Sequence, residues 1–235
     1  MRAIILAGGE GTRLRPLTFA IPKPLIPVGE KPILEIILCR LKKFGFRDFI
    51  LSVGYKAELI QTYFQHGNKF GIKIEYIYED KPLGTAGSLK LIAGKFHFSR
   101  NEQFLLMNGD ILTRLDFRKM VDFHCRNKSS LTVGVKKFSQ RLPFGVIDIK
   151  NKSIKGIVEK PVDSYHISAG IYVINTACLD YIPKNRVFTM PMLINTVIKE
   201  TKKVHPYFIR EDWIAVEHLQ HIEEINCDLK RWVKE

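Results

Sequence analysis

The amino end carries the densest chemistry, in Leu6-Ala7-Gly8-Gly9-Glu10-Gly11-Thr12-Arg13-Leu14, then Pro16-Leu17-Thr18 and Pro22-Lys23-Pro24-Leu25-Ile26-Pro27-Val28. Glycines directly after a strand let backbone N–H groups approach phosphate oxygens, and Arg13 and Lys23 add charge-assisted hydrogen bonds to the same anion. The pattern points to a polyphosphate. A dinucleotide-binding GxGxxG starting at Gly9 would need glycine where Leu14 stands, and a P-loop would need Gly-Lys-Ser/Thr, so neither fits. Asp110 adds a carboxylate just after the apolar stretch Gln103 to Met107, at the carboxyl end of an expected strand, where it can hold Mg²⁺ against phosphates. No Ser lies in a GxSxG elbow and no Cys has a paired His motif, so a covalent protein intermediate has no support.

The glycine-rich segment closely resembles the signature of the nucleotide-sugar pyrophosphorylases, in which Gly-Gly-x-Gly-Thr-Arg-Leu-x-Pro-Leu-Thr is followed by Lys-Pro-x-x-Pro. The resemblance continues in the family's order through Lys81-Pro82-Leu83-Gly84-Thr85-Ala86-Gly87, Asn108-Gly109-Asp110, Pro143-Phe144-Gly145-Val146, Glu159-Lys160-Pro161 and Ala169-Gly170-Ile171-Tyr172. Within the family the texture is similar to that of short mannose-1-phosphate or glucosamine-1-phosphate guanylyltransferases, which implies a bare catalytic core.

This resemblance implies in-line attack by a sugar-1-phosphate on the α-phosphorus of a nucleoside triphosphate, with release of pyrophosphate. Arg13 would neutralise the leaving pyrophosphate, Lys23 would bridge the meeting phosphates, and Asp110 would hold Mg²⁺, with Mn²⁺ as an alternative. Leu6, Ala7, Gly8, Gly9, Gly11, Thr12, Glu79, Gly84 and Thr85 would line the nucleotide. Asn108, Gly145, Glu159, Lys160 and Gly170 would hold the sugar phosphate. Glu79 stands where the family faces the nucleobase, and a carboxylate accepting two hydrogen bonds matches guanine N1–H and its exocyclic amine. GTP is therefore favoured, with UTP next.

One departure stands out. The family usually has Trp-x-Asp-Ile/Val-Gly near the carboxyl end, its Asp being a second metal ligand. Here the stretch reads Trp213-Ile214-Ala215-Val216-Glu217, with Ala215 in the carboxylate position. Glu217 is then either a substitute ligand reaching toward Asp110 or a favourable acid in the first turn of a final helix. Loss of the ligand also opens a second reading, a regulatory homologue that binds nucleotide sugars without turnover.

The elements that must position these residues follow from periodicity. Arg2 to Leu6, Phe49 to Val53, Ile72 to Tyr78 and Gln103 to Met107 read as strands, and Pro32 to Phe44, Lys56 to Phe64 and Thr85 to Ala93 as helices. The alternation predicts an α/β fold, a Rossmann-like, mainly parallel mixed sheet flanked by helices. Leu131 to Lys136, Gly145 to Ile149, Ser153 to Val158 and His166 to Ile174 follow at short spacing, with Asn151 as a hairpin turn, and predict a smaller antiparallel, sugar-binding subregion. A helix over Pro191 to Lys199, a strand near Val204 to Ile209 and a helix from about Glu217 to Val233 complete the pattern. We expect one domain over 1–235, with a nucleotide-binding half to about residue 112 and a sugar-binding half beyond it.

Composition limits the partners. The chain of 235 residues is 46% hydrophobic and carries a net charge of +13, with its basic doublets (Lys42-Lys43, Lys136-Lys137, Lys202-Lys203) scattered and lacking interleaved aromatics. That argues against nucleic acid and leaves small anions, which the resemblance implies to be a nucleoside triphosphate and a sugar-1-phosphate. The apolar run at the start is far too short for a membrane span and lacks an export signal's basic flank, so a cytoplasmic protein without membrane contact is expected. Four dispersed cysteines without a CxxC pair predict reduced thiols and no zinc site. Self-association into a homo-oligomer is left open by the sequence.

Overall fold

A computed structural model describes every residue except Asp80, Pro82, Arg100, Asn101, Asn185, Lys234 and Glu235, and describes Val233 through its backbone. Pro82 of the Lys81–Gly87 motif thus lies outside the described residues. In chain order the strands are β1 (Arg2–Ala7), β2 (Pro27–Val28), β3 (Lys31–Pro32), β4 (Asp48–Val53), β5 (Lys73–Tyr78), β6 (Gln103–Asn108), β7 (Ile111–Thr113), β8 (Leu131–Arg141), β9 (Val146–Lys150), β10 (Ser153–Val158), β11 (Val162–Asn175), β12 (Val204–Phe208) and β13 (Trp213–Ala215). The α-helices are α1 (Leu17–Ala20), α2 (Ile33–Lys43), α3 (Ala57–Phe64), α4 (Gly87–Lys95), α5 (Phe117–Arg126), α6 (Met190–Thr201), α7 (Leu219–Cys227) and α8 (Leu229–Val233).

Seven strands form one sheet in the order β12-β8-β11-β6-β1-β4-β5. All neighbouring pairs are parallel except those made by β11, which runs antiparallel to both β6 and β8. After Arg2, β1 reads as an unbroken apolar run because both of its faces are covered. Ala3, Ile5 and Ala7 join a core with Leu34, Leu38 and Leu41 of α2, Ile60 and Phe64 of α3, and Phe117 and Met120 of α5. Ile4, between them, joins Ile50, Leu106, Leu89 and Ile92 of α4, and Leu193 and Val197 of α6 on the opposite face.

The expected βαβα alternation is observed, with boundaries shifted by a few residues. α5 is an element the sequence reading lacks: Asp116 caps it by accepting from the Lys119 N–H at 3.1 Å, and Phe117, Met120 and His124 form its buried stripe. β7 and β13, three residues each, pair antiparallel so that Ala215 lies opposite Ile111. The expected final helix over 217–233 is instead two pieces separated at Asp228, the first beginning at Leu219, so Glu217 stands outside it.

Beyond the core, β8 and β11 continue as a ribbon that leads into the β9–β10 hairpin. Asn151 and Lys152 take φ of 49° and 63° at its turn, the pair of positive values that a two-residue hairpin loop of matching twist requires. Ile147, Ile149, Ile154 and Ile157 on this hairpin are 47–69% exposed. No helix among the described residues is long and apolar enough to cross a membrane.

Candidate active site

The carboxyl ends of β1, β4, β5 and β6 are brought together by parallel pairing, and the loops that leave them carry most of the predicted residues. After β1 the chain passes through Gly8 and Gly9 to a tight turn over Thr12–Leu14, anchored by the fully buried Leu14. Gly11 is required there: its φ is +64°, and a Cβ would lie 2.9 Å from Thr18 Cγ2 and 3.1 Å from Lys23 Cβ. The loop is braced by Thr18, whose hydroxyl donates to the Gly11 carbonyl at 3.0 Å, and by Tyr55, whose hydroxyl donates to the Thr18 carbonyl at 2.8 Å. Gly9 is different. Nothing lies within 4 Å of a Cβ placed on it, so packing does not require a glycine there.

Each cation of the loop has an acidic partner. Lys23, on a short turn between Pro22 and the buried Pro24, donates to Asp110 Oδ2; the two side chains are 15% and 27% exposed. Arg13 Nη1 pairs with Glu217 Oε2 at 2.9 Å, both side chains lying further out, at 62% and 44% exposure. Asp110 leaves β6 at the turn into β7, and its carbonyl accepts the Val216 N–H at 2.9 Å. The carboxyl-terminal stretch is thereby fastened beside the glycine-rich loop.

The donor set available to a divalent ion is small. Asp110 supplies one carboxylate, Ala215 none, and among the described residues no cluster of three or more His, Cys, Asp or Glu could hold a metal. Mg²⁺, which takes one or two protein carboxylates and completes its shell with water and phosphate oxygens, fits such a set.

Glu79 follows β5, with its N–H on the Val53 carbonyl at 2.9 Å, and Oε1 accepts the hydroxyl of the fully buried Ser52 at 2.6 Å. One carboxylate oxygen is thus fixed in orientation while further acceptor capacity remains. Ser52 was missed from the sequence, although a serine inside the apolar run of β4 was a readable signal. The loop bearing Gly84 and Thr85 is pinned to the segment before α6: the N–H groups of Ala86 and Gly87 both donate to the Phe188 carbonyl, at 3.0 and 2.8 Å, and Thr85 Oγ1 accepts from Met190 N–H at 2.8 Å.

The predicted sugar-side residues fall into two groups. Asn108, at the end of β6, meets Gly170, whose φ of +68° and close approach (2.7 Å from a Cβ to Asn108 Nδ2) would strain any side chain placed there. Gly145, Glu159 and Lys160 gather where the hairpin leaves the ribbon. A Cβ on Gly145 would lie 3.0 Å from Glu159 Oε2, and Lys160 Nζ stands 3.8 Å from Glu159 Oε1. Among the described residues no hydrogen bond or ion pair joins this second group to Asp110 or to the glycine-rich loop.

Comparison with known proteins places the chain in a family. The family model described as nucleotidyl transferase matches residues 2–231. A mannose-1-phosphate guanylyltransferase of Mycobacterium tuberculosis is 35% identical over 187 residues, 78% of this chain and 51% of that protein. A UTP–glucose-1-phosphate uridylyltransferase of Synechocystis is 36% identical over 206 residues, 81% of this chain and 53% of that protein. This chain therefore spans about half the length of these curated relatives. The crystal structure of HddC from Yersinia pseudotuberculosis complexed with GMP-PN superposes with a TM-score of 0.73 at 26% identity, covering 97% of this chain and 99% of that one. A family model that runs over nearly the whole chain, on a mixed seven-stranded sheet shared with a solved relative, means that this chain belongs to the nucleotidyl transferase family.

Proposed function

We propose that the chain transfers a nucleoside monophosphate from a triphosphate to a sugar-1-phosphate, giving a nucleotide sugar and pyrophosphate. The observation that carries this reading is the convergence of Arg13, Lys23 and Asp110 on the carboxyl ends of β1 and β6, beside a Gly9 whose surroundings are open. Two anions must meet for the reaction to occur, and the catalytic problem is their mutual repulsion. Lys23, set deeper, is suited to bridge the two phosphates, and Arg13, set at the rim, to receive the departing pyrophosphate. Backbone N–H groups of the glycine loop would orient the triphosphate for in-line attack. When bound at Asp110, Mg²⁺ or Mn²⁺ would offset charge on the phosphate oxygens. No proton-transferring side chain is needed at phosphorus.

Residues up to about 112 form the nucleotide half in this reading, and those beyond it the sugar half. The relatives' names span more than one base, so kinship leaves the base to be read from the site. Glu79, oriented by Ser52, favours guanine, which presents two donors on one edge, over uracil, which presents one. The sugar phosphate would lie between Asn108 with Gly170 and the group formed by Gly145, Glu159 and Lys160. We assign the reaction to the cytoplasm, where four free cysteines such as these persist.

A matrix of four triphosphates against hexose-1-phosphates, with pyrophosphate as readout, tests the reading. Turnover is expected with GTP above UTP, and Arg13→Ala and Lys23→Ala should each lower it by about 100-fold to 1,000-fold, the magnitude of one lost transition-state contact. Folded variants with ordinary turnover would remove these roles. Tight binding of nucleotide sugars with no turnover at any metal concentration would favour the regulatory reading instead, for which Ala215 is the specific observation.

A further inference from the structure

The Arg13–Glu217 pair is not explained by the fold. Glu217 lies two residues before α7, which has no acidic residue in its first turn, so it serves no helix end. Its backbone is nevertheless fixed on both sides. The preceding Val216 is fully buried with its N–H on the Asp110 carbonyl, and the Glu217 N–H itself donates to His221 Nδ1 at 3.1 Å. The side chain, 44% exposed, reaches the outermost cation of the glycine loop at 2.9 Å.

The two ion pairs of the site differ in depth. Lys23 and Asp110 are largely enclosed, whereas Arg13 and Glu217 stay more than two-fifths exposed. An exposed pair contributes little to stability and is readily exchanged for a stronger anion. We propose that Glu217 is an internal counterion for Arg13, one that occupies the guanidinium in the free protein and yields it to the incoming triphosphate. This rests on the reading of that loop as the triphosphate site. A polyphosphate carries several charges and bidentate acceptor pairs, so it outcompetes one carboxylate, while a ligand with a single weak anionic group does not. The exchange also leaves the Glu217 carboxylate unpaired and tethered through Val216 to the Asp110 backbone.

The test is the affinity of the metal-free protein for inorganic triphosphate, measured by calorimetry in EDTA at low salt, so that neither base recognition nor turnover contributes. Removing the competing carboxylate in Glu217→Gln should tighten binding about threefold to fivefold, the equivalent of one exposed ion pair. Arg13→Ala should weaken binding, and adding Glu217→Gln to Arg13→Ala should produce a smaller gain, limited to relief of direct repulsion between the carboxylate and the anion. Unchanged affinity in Glu217→Gln, or an equal gain in the Arg13→Ala background, overturns the counterion role. If Arg13→Ala binds as tightly as the parent, the triphosphate site itself is misplaced, a failure distinct from the first. Matching thermal unfolding of all variants confirms that folded proteins are compared.

Discussion

Acidification should destabilise this protein through one side chain distant from the proposed chemistry. His124 on α5 is 2% exposed, and its Nδ1 lies 2.9 Å from the Thr132 hydroxyl. Burial, assisted by the charge of nearby His205, pushes its pKa down from an ordinary 6.5 to about 4. Above pH 6.5 the imidazole is neutral in both folded and unfolded chains, so its stabilising contribution is fully present. As pH falls below 6.5 the unfolded chain takes up a proton that the folded chain refuses, and stability declines until the folded pKa is reached. The gap between the two values corresponds to about 3 kcal/mol. For a chain of this size that is a fall in Tm of about 6–12 °C. Urea melts followed by tryptophan fluorescence at pH 7 and at pH 4 will also record every other titrating group. The decisive quantity is therefore the difference between the parent and His124→Gln, which keeps a polar partner for Thr132 but does not titrate. The parent should lose about 3 kcal/mol more than the variant over that interval. Parallel losses would refute the assignment.

Three further outcomes are expected. Gly170→Ala would drive a Cβ to 2.5 Å from Ile111 Cδ1 and 2.7 Å from Asn108 Nδ2 at a φ of +68°, so stability should fall by about 1–3 kcal/mol and KM for the sugar phosphate should rise, seen in melts and initial rates. Cys178 is 1% exposed and burial pushes its thiol up to about 12, so alkylation at pH 8 followed by peptide mapping should label the exposed Cys125 and Cys227 in the native protein and Cys178 only after unfolding. Ala215→Asp should lower the Mg²⁺ concentration for half-maximal turnover by about tenfold by adding a carboxylate to the donor set. An unchanged metal requirement would show that position 215 does not face the ion.

Much of the architecture was legible because the first half obeys local rules. Strands buried on both faces are continuous apolar runs, and helices covering them carry one apolar stripe, so β1, β4, β5, β6, α2 and α3 follow from sequence spacing alone. α5 escaped although its cap and stripe were present, because its charged residues (Arg118, Lys119, Asp122, Arg126) dilute the apolar signal. β7 and β13 are too short to leave any period, and the final helix was overextended because nothing before Asp228 marks its break. At the site, residue types pointed to a polyphosphate and a strand-end carboxylate, but the partners did not. Lys23 and Asp110 are 87 positions apart, and Arg13 meets Glu217 across nearly the whole chain. Such pairings are fixed by sheet order, a tertiary property that no window of sequence contains. Ser52 behind Glu79 is the counter-example, a polar residue in a buried strand that local reading could have questioned.

The sheet order also has a consequence for biosynthesis. β1 is made first, yet one of its two partners is β6, where Arg2 lies opposite Phe104. β6 in turn gains its second neighbour only when β11 arrives, with Ile171 opposite Met107. Asp110 acquires its bond to Val216 later still, from a segment near the carboxyl end. A chain emerging from the ribosome therefore carries β6, with its apolar side chains and one open edge, through the synthesis of more than sixty further residues. Such an edge invites pairing with a neighbouring nascent chain, and pairings so distant in sequence form slowly. The segment that carries Asp110 is thus among the last to be secured, so a protein truncated before β11 should be captured by chaperones or aggregate rather than accumulate as a folded fragment.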